Sequence, residues 1–375
     1  MRAAFTRRAF LAALPIAARA ADVIPSQSKR LRDPITEFEL TRLTTPEYSS
    51  WLIPPPTRSI SGRNNSVLYC SDRSGSVQAF RLDLKSGESR QLTEAAKLDR
   101  DALALMADDR TIAYFDDDAL VLSGVRTKTV YQTPSDWRRA PGFTVTEDGI
   151  YAMVVETNER KRRLRLIPLL HGNPTTVCEI EDDITFVRPR PRRAAILYGR
   201  PGGLWIVDHS GENNRKLKTA PGTPLQALWS TDGKSFTYLR APEKTTELND
   251  VREHTPDANE DKKLASTSQF ITYARNSDAS VFVGVSRNKA APYLLLLLRV
   301  AHRELTVAEH KASDPKAVSV LFTPNSQRLL WHTDREGKSA IYSLAVEKFV
   351  EQTEVSAAYC NHVRDCDSPL GWSNA

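Results

Sequence analysis

The sequence predicts an all-β protein, a seven-bladed β-propeller of four-stranded blades. A unit of two apolar strands, each preceded by a turn, stands at residues 321–346 and recurs in degraded form at 61–93 and 230–243. Successive copies are about 40–47 residues apart, which is the period of a propeller blade. The copies start near residues 69, 112, 152, 196, 236, 282 and 329. Because blades bury their faces only against neighbouring blades, this continuous repeat predicts a single domain.

The propeller is expected to span residues 36–351, between a polar linker at 21–35 and an irregular tail at 352–375. Residues 37–44 alternate like a strand, and we expect them to close the ring by joining the last blade. Residues 243–264 form the longest polar interruption and predict a mobile loop between strands. The basic run at 160–165 predicts a solvated hairpin in preference to a polyanion site.

The first twenty residues predict an export signal. Residues 6–11 (TRRAFL) resemble a twin-arginine motif, a short apolar run follows, and residues 18–20 fit a small-x-small cleavage site. That run is too short to cross a bilayer, and the apolar run at 294–298 has only the length of a strand, so we expect no membrane span. Cleavage after Ala20 would give a periplasmic or secreted protein.

The charge balance does not support a nucleic-acid partner. The formal net charge is +6, from 52 basic and 46 acidic side chains. Four arginines and no acid lie in residues 1–20, so the mature chain carries about +2. We expect a monomer.

The cysteines and histidines predict no metal site. Cys70 and Cys178 fall in strand patterns of different blades, which predicts buried free thiols. Cys360 and Cys366 could close a small loop in an oxidising compartment, and the sequence leaves their pairing open. No two histidines have a metal-binding spacing such as His-x-His, so we expect solvated or singly hydrogen-bonded side chains. They are placed at strand ends, in hairpin turns or on outer strands (His171, His209, His302, His310, His332), in the polar loop (His254) and in the tail (His362).

An ordered series of motifs resembles the oligogalacturonate lyases. The most specific is Tyr-Gln-Thr-Pro-Ser-Asp-Trp at residues 131–137. Others follow the same order at residues 41–44, 80–93, 215–219, 229–233 and 322–338. The resemblance implies a seven-bladed propeller that cleaves short pectin fragments by β-elimination. It also implies manganese held by histidines and a glutamine, a histidine base, and an arginine that pairs with the sugar acid.

The chain departs from the family pattern at each of these catalytic positions. The base aligns with Gln226, and the arginine aligns with Gly203, for which the nearby Arg200 is a candidate substitute. The metal-binding histidines align with Thr272, Ala317 and Ser319. We therefore expect that no catalytic residue is retained and that no cofactor binds, although manganese is the cofactor of the family.

Three interpretations of the function remain. The first is an exported, oligogalacturonate-lyase-like enzyme with a rearranged site, and the second is a binding module for oligogalacturonides or other uronic-acid oligosaccharides on the same scaffold. The third is a Tol-like periplasmic propeller that binds a protein partner, which an exposed apolar patch at the ring mouth would favour. Arginines and flat aromatic rings favour an acidic oligosaccharide instead. The candidate contacts are Trp51, Arg58, Arg188, Arg200, Gln226 and Trp229.

For some of these candidates a structural role is equally open. Trp51 and Trp229 fit aromatic packing within a blade as well as they fit ligand contact. Arg188 and Arg190 lie in a Pro-Arg-Pro turn that solvent alone could stabilise. The sequence does not decide between these roles.

Overall fold

The computed structural model describes residues 23–244, 246–299 and 303–349. The predicted export signal, the predicted tail with Cys360 and Cys366, and two histidines (His302 and His362) lie outside the described residues. Within the described ranges, no helix has the length and apolar character that a membrane span requires.

Strands make up nearly all of the regular structure. The first half of the chain contains β1 (Val23–Ile24), β2 (Lys29–Arg32), β3 (Glu39–Arg42), β4 (Ser50–Leu52), β5 (Ser66–Ser71), β6 (Gln78–Asp83), β7 (Ser89–Gln91), β8 (Leu98–Leu105), β9 (Ile112–Asp116), β10 (Ala119–Ser123), β11 (Thr127–Gln132), β12 (Arg138–Val145), β13 (Tyr151–Thr157), β14 (Arg162–Pro168) and β15 (Thr175–Ile180). The second half contains β16 (Phe186–Pro189), β17 (Ala195–Arg200), β18 (Gly203–Asp208), β19 (Arg215–Lys216), β20 (Thr223–Trp229), β21 (Phe236–Ala241), β22 (Asp250–Thr255), β23 (Glu260–Ser266), β24 (Phe270–Arg275), β25 (Val281–Ser286), β26 (Tyr293–Leu298), β27 (Arg303–Glu309), a 3₁₀ turn (Pro315–Ala317), β28 (Val320–Phe322), β29 (Arg328–Thr333) and β30 (Ala340–Ala345).

The described strands form seven antiparallel sheets, one for each blade. From the inner strand outwards, the blades are β4–β5–β6–β7–β1, β8 to β11, β12 to β15, β16 to β19, β20 to β23, β24 to β27, and β28–β29–β30–β3–β2. We number them blade 1 to blade 7 in that order. Each predicted start of a repeat lies in the second strand of a blade, from residue 69 in β5 to residue 329 in β29. The seven-bladed propeller predicted from the repeat is confirmed.

The ring closes by mixing the two ends of the chain in one sheet. Strand β3 pairs with the third strand of blade 7, with Leu40 opposite Leu344 and Thr41 opposite Ser343. This is the closure predicted for residues 37–44. The strands from the start of the chain complete the sheet of the last blade, so both ends of the propeller share one sheet.

The segment predicted as a linker, residues 21–35, contains two strands. Strand β1 pairs with β7 of blade 1, and β2 pairs with β3 of blade 7. The polar residues of β2 suggested a linker because this strand is the outer edge of its sheet and exposes most of its side chains. Behind it, Asp33 is buried and its Oδ2 accepts a hydrogen bond from Glu309 N at 2.9 Å.

The mobile loop predicted at residues 243–264 is wrong. This segment forms the two outer strands of blade 5, β22 and β23. Its polar composition comes from opposite charges that pair across the sheet. Buried Asp250 accepts two hydrogen bonds from Arg240, at 2.9 and 2.7 Å, and Arg252 donates to Asp261 at 2.9 Å. Buried charges are tolerated when they are paired and hydrogen-bonded in this way.

The core consists of apolar layers, one between each pair of neighbouring blades. In the layer that joins blades 1 and 7, Tyr69 and Phe80 pack with Leu330. In the layer that joins blades 6 and 7, Leu296 shares a cluster with Trp331. The apolar run at 294–298 therefore belongs to a buried strand, β26, as its length predicted.

The remaining sequence features are mostly local. Cys70 is a buried free thiol as predicted, and Cys178 is a half-buried one. The basic run crosses the turn between β13 and β14, where Arg160 is exposed. Arg163, in contrast, donates from Nε to the fully buried Glu156 at 2.7 Å, so this part of the run is paired rather than solvated.

Candidate functional site

The inner strands of the blades surround a central channel with a cavity at each end. We call the cavity where the inner strands begin the proximal cavity; its volume is about 480 Å³. The cavity where the inner strands end and turn back is the distal cavity, of about 990 Å³. Arg188, in the middle of the short strand β16, lines both. The same side chain is therefore part of the wall of both cavities.

The proximal cavity gathers four of the five positions that the motif resemblance predicts to align with the catalytic residues of the lyases. These positions are Gln226, Thr272, Ala317 and Ser319. They come from three different blades, because the start of each inner strand faces the same end of the channel. The fifth position, Gly203, begins the third strand of blade 4 and does not line the cavity.

The side-chain amide of Gln226 is engaged by the neighbouring blade. Its Nε2 donates to the carbonyl oxygen of Tyr273 at 3.0 Å, and its Oε1 accepts from Tyr273 N at 3.2 Å. An amide cannot take up a proton at neutral pH, and both of its polar atoms already have partners. At the position aligned with the family's base, this chain thus has a side chain that joins two blades by hydrogen bonds.

The positions aligned with the metal ligands do not fit a manganese site. Thr272 donates from its hydroxyl to the carbonyl of Val318 at 3.4 Å, and Ala317 offers only a methyl group. Manganese prefers carboxylate, imidazole and free carbonyl or amide oxygens. In the described ranges, no group of three histidine, cysteine, aspartate or glutamate side chains could hold a metal ion.

The histidine that lines the proximal cavity, His332, has a structural role. It lies in β29, the second strand of blade 7. Its Nδ1 accepts from Leu52 N at 3.1 Å, and its Nε2 donates to the carbonyl oxygen of Ala317 at 2.7 Å. Burial lowers the pKa of His332 from 6.5 to about 4, so the ring is neutral at physiological pH. It joins blade 1 to the segment that precedes β28.

The histidine predictions are wrong at three positions. His332, in a second strand, and His310 are buried and make two hydrogen bonds each, where solvated or singly hydrogen-bonded side chains were expected. His254 does make a single hydrogen bond, but it is buried in β22 and not in a polar loop, with its ring stacked on Phe236 at 5.2 Å between centroids. A blade buries both of its faces, so a histidine on a strand can be enclosed by the neighbouring blade even where the local sequence is polar.

Three cationic and three acidic side chains also line the proximal cavity. They are Arg100, Arg188 and Lys316, and Asp101, Asp314 and Asp334. The acids have partners of their own. Asp314 accepts from Lys316 N at 3.0 Å, Asp334 accepts from Ser313 N at 2.9 Å, and Asp101 lies 3.9 Å from the Arg100 guanidinium. Arg100 also lies over the ring of Trp51, 5.1 Å from its centroid.

Arg188 has no carboxylate partner among the described residues. Its Nε donates to the carbonyl of Ala227 at 3.0 Å and its Nη1 to the carbonyl of Val187 at 2.8 Å. The half-buried guanidinium loses hydration, which lowers the pKa of Arg188 to about 10 and leaves the group charged at neutral pH. Neither of these bonds uses Nη2, and the side chain lines the channel.

The predicted contact residues do not all meet at one site. Trp51, Arg188 and Gln226 line the proximal cavity, whereas Arg58 and Trp229 line the distal cavity. Arg58 is paired with Asp109. The ring of Trp229 packs against Phe236, and its Nε1 donates to Arg188 O at 3.2 Å, so it has the packing role that the sequence left open.

Arg200 lines neither cavity. It is the cross-strand neighbour of Gly203, the position aligned with the family's arginine, but both lie outside the inner strand of blade 4. Its guanidinium is paired with Asp182 and lies 4.6 Å from the centroid of the Trp205 ring. Arg100 and Lys316, which do line the proximal cavity, were missed. Arg100 could have been found from its position in the repeat, because it lies near the start of an inner strand, and the starts of the inner strands line this cavity.

No family model matches this chain. It is 23% identical to an oligogalacturonate lyase of Dickeya dadantii (strain 3937) over 86% of this chain and 96% of that protein. It is 22% identical to an oligogalacturonide lyase of Pectobacterium atrosepticum over 85% of this chain and 96% of that protein.

Solved structures give the same result for the fold. An oligogalacturonate lyase in complex with manganese superposes with a TM-score of 0.82 at 20% identity, over 87% of this chain and 97% of that one. The oligogalacturonate lyase of Vibrio parahaemolyticus superposes with a TM-score of 0.81 at 19% identity, over 87% and 98%. The resemblance predicted from the motifs is confirmed: the chain is similar in sequence to the oligogalacturonate lyases along almost the whole propeller and shares their seven-bladed fold.

Proposed function

We propose that this protein is an exported, oligogalacturonate-lyase-like propeller that binds uronic-acid oligosaccharides in the proximal cavity without the base and the manganese of the family. One observation carries the proposal. The positions aligned with the family's base and metal ligands line this cavity, but the amide of Gln226, at the position aligned with the base, is engaged by Tyr273. Recognition of an acidic sugar remains chemically possible there, whereas proton abstraction by this residue does not.

The cationic groups of the cavity support an acidic ligand. Arg188 lines the cavity and has no carboxylate partner among the described residues. Guanidinium groups bind carboxylates with good geometry and strength. Trp51 is half-buried and carries Arg100 over its ring, a combination of flat aromatic surface and positive charge that suits a uronate residue.

The replaced residues argue against turnover at the family's rate. A positioned general base contributes about 10²–10⁴ to a rate. A metal that polarises the uronate carboxylate contributes several kcal/mol more. The side chains at the aligned positions in this chain supply neither effect, so we expect binding with little or no β-elimination.

Calorimetric titration of the purified full-length chain with digalacturonate and trigalacturonate tests binding. Ultraviolet absorbance of unsaturated uronate, with and without manganese, tests turnover. We expect binding without turnover, and we expect Arg100→Gln to weaken binding by about tenfold. Arg303→Gln makes the same charge change on an exposed outer strand and should leave affinity unchanged. Manganese-dependent turnover would contradict the loss of catalysis, and no binding of either sugar would contradict the proposed ligand.

A further inference from the structure

The distal cavity differs from the proximal one in both size and charge. It is about twice as large, at about 990 Å³, and none of the positions aligned with the lyase's catalytic residues lines it. Six arginines do: Arg58, Arg188, Arg190, Arg192, Arg193 and Arg275. Two acids, Glu147 and Asp148, line it as well. Cationic side chains therefore outnumber acidic ones on its wall.

Two of these arginines are neutralised within the fold. Arg190 makes two parallel hydrogen bonds to the carboxylate of Asp257, at 2.8 and 2.7 Å. Arg58 is paired with Asp109. Their charges are satisfied, and they form part of the cavity wall.

Arg188 and Arg275 have no ion pair with any described carboxylate. Arg275 donates from Nη2 to the carbonyl of Trp229 at 2.7 Å. The hydrogen bonds of Arg188 to described residues go to the carbonyls of Ala227 and Val187, and its guanidinium lies 5.1 Å from the centroid of the Phe186 ring. Both are half-buried. Loss of hydration is the main cause that lowers the pKa of each guanidinium below its usual value. For Arg275, the charges of Glu253, Asp278 and Asp232 offset this loss in part, from farther away than an ion pair. A cation that has lost water and has no counter-ion in contact is stabilised when a ligand supplies the negative charge.

Neither acid on the wall lies within ion-pair distance of Arg188 or Arg275, and Glu147 is exposed. Asp148 is engaged locally, since its Oδ1 accepts from the Thr146 hydroxyl at 2.6 Å and from Ile150 N at 3.0 Å. Apolar side chains also line the wall, among them Met106 and Phe322. An apolar surround lowers the local dielectric constant, which strengthens the attraction between a guanidinium and a bound anion.

We propose that the distal cavity is a second binding site, separate from the sugar-binding cavity, for a compact oxyanion that carries two or more carboxylate or phosphate groups and binds between Arg188 and Arg275. Arg192 and Arg193, exposed on the turn at the rim, would attract the ligand. Because Arg188 lines both cavities, an anion here competes with an acidic sugar for the same guanidinium. Each ligand then weakens the other by the same factor.

The test is calorimetric titration of the full-length chain with citrate and, separately, with inorganic pyrophosphate. We expect at least one of them to bind, and Arg275→Gln to weaken it about tenfold or more. Arg100→Gln, in the proximal cavity, and Arg303→Gln, on an outer strand, should not change the affinity. Binding of citrate alone identifies a carboxylate ligand, and binding of pyrophosphate alone identifies a phosphate ligand.

Three results would overturn this site. They are no binding of either anion, equal weakening by Arg275→Gln and Arg303→Gln, and loss of binding in Arg100→Gln with retention in Arg275→Gln. If Arg275→Gln does not fold, Arg193→Gln on the exposed turn replaces it, with a several-fold weakening expected. The outcome is independent of the galacturonate titration, so this site can fail while the proposed function stands.

Discussion

Gln226 and Tyr273 join the inner strands of blades 5 and 6 through a closed pair of hydrogen bonds between a side-chain amide and a backbone peptide. The Gln226 amide bonds to Tyr273 N and O as a backbone peptide would in a β-ladder. It therefore links the sheets of blades 5 and 6 by hydrogen bonds. A residue at the aligned position of a catalytic base has here become part of the ring that holds the channel together.

Replacing Gln226 with leucine should therefore destabilise the protein. Two buried backbone groups of Tyr273 lose their partners, and we expect the free energy of unfolding to fall by about 1–3 kcal/mol. Urea unfolding followed by tryptophan fluorescence measures the change. Gln132→Leu, on the exposed face of an outer strand, is the matched control and should have little effect. Equal effects of the two substitutions would show that the hydrogen bonds to Tyr273 contribute nothing.

Arg188→Met should weaken ligand binding much more than it affects stability. It removes a half-buried charge that has no carboxylate partner, and this gain offsets the loss of two hydrogen bonds to backbone carbonyls. We expect the free energy of unfolding to change by no more than about 1 kcal/mol and the affinity for digalacturonate to fall about tenfold. Thermal unfolding and calorimetric titration on the same variant separate the two effects. A large loss of stability with unchanged affinity would mean that Arg188 is structural.

His332 should make stability depend on pH in the weakly acidic range. Its pKa is lowered by burial from 6.5 to about 4 in the folded protein, so the unfolded chain binds the proton first. Its contribution is present above about pH 6.5 and is lost as the pH falls towards 4, on the order of 3 kcal/mol in all.

The variant His332→Gln isolates this contribution, because glutamine keeps hydrogen-bonding capacity without a titrating group. We expect the difference in unfolding free energy between wild type and variant to shrink as the pH falls from 6.5 to 4. Urea titrations at four or more pH values measure it. A difference that does not vary with pH would contradict the burial of a neutral imidazole.

Asp33→Asn should loosen the closure of the ring. The Asp33 carboxylate is 1% exposed and accepts hydrogen bonds from the backbone of Ile35, Thr36 and Glu309, with Arg335 at 3.6 Å. Asparagine loses the charge and one acceptor, and we expect a cost of about 2–4 kcal/mol in unfolding free energy.

Glu39→Gln is the control for this substitution. It removes a carboxylate from the same sheet, but from an ion pair with Arg30 in which both side chains are largely exposed. Such pairs contribute at most about 1 kcal/mol. Similar effects of Asp33→Asn and Glu39→Gln on thermal unfolding would rule out a special role for Asp33 in closure.

Export is testable without the structure. If residues 1–20 act as a twin-arginine signal, the protein purified from the periplasm or medium begins at Ala21, and replacing Arg7 and Arg8 with lysine retains it in the cytoplasm. Amino-terminal sequencing and cell fractionation give both readings. A full-length protein in the cytoplasm of the wild-type strain would contradict the proposal.

The sequence alone determined the propeller, because the period of the repeat is a local property. The seven predicted repeat starts, from residue 69 to residue 329, each fall in the second strand of a blade. Within residues 37–44, whose alternation predicted a strand, Leu40 to Arg42 pair with β30. Tertiary structure decided which side chains from distant parts of the chain pair with each other, because a local pattern carries no information about such partners. Residues 243–264 are charged but form strands, because Asp250 and Arg252 find partners across a sheet.

The same distinction applies to the candidate sites. Alignment placed Gln226, Thr272 and Ser319 at catalytic positions, but only packing of separate blades gathers them around one cavity and turns the Gln226 amide to Tyr273. Arg188 and Arg275 are ordinary arginines in the sequence. Their lack of a carboxylate partner among the described residues depends on which side chains seven blades bring to one channel, and that is a property of the assembled ring.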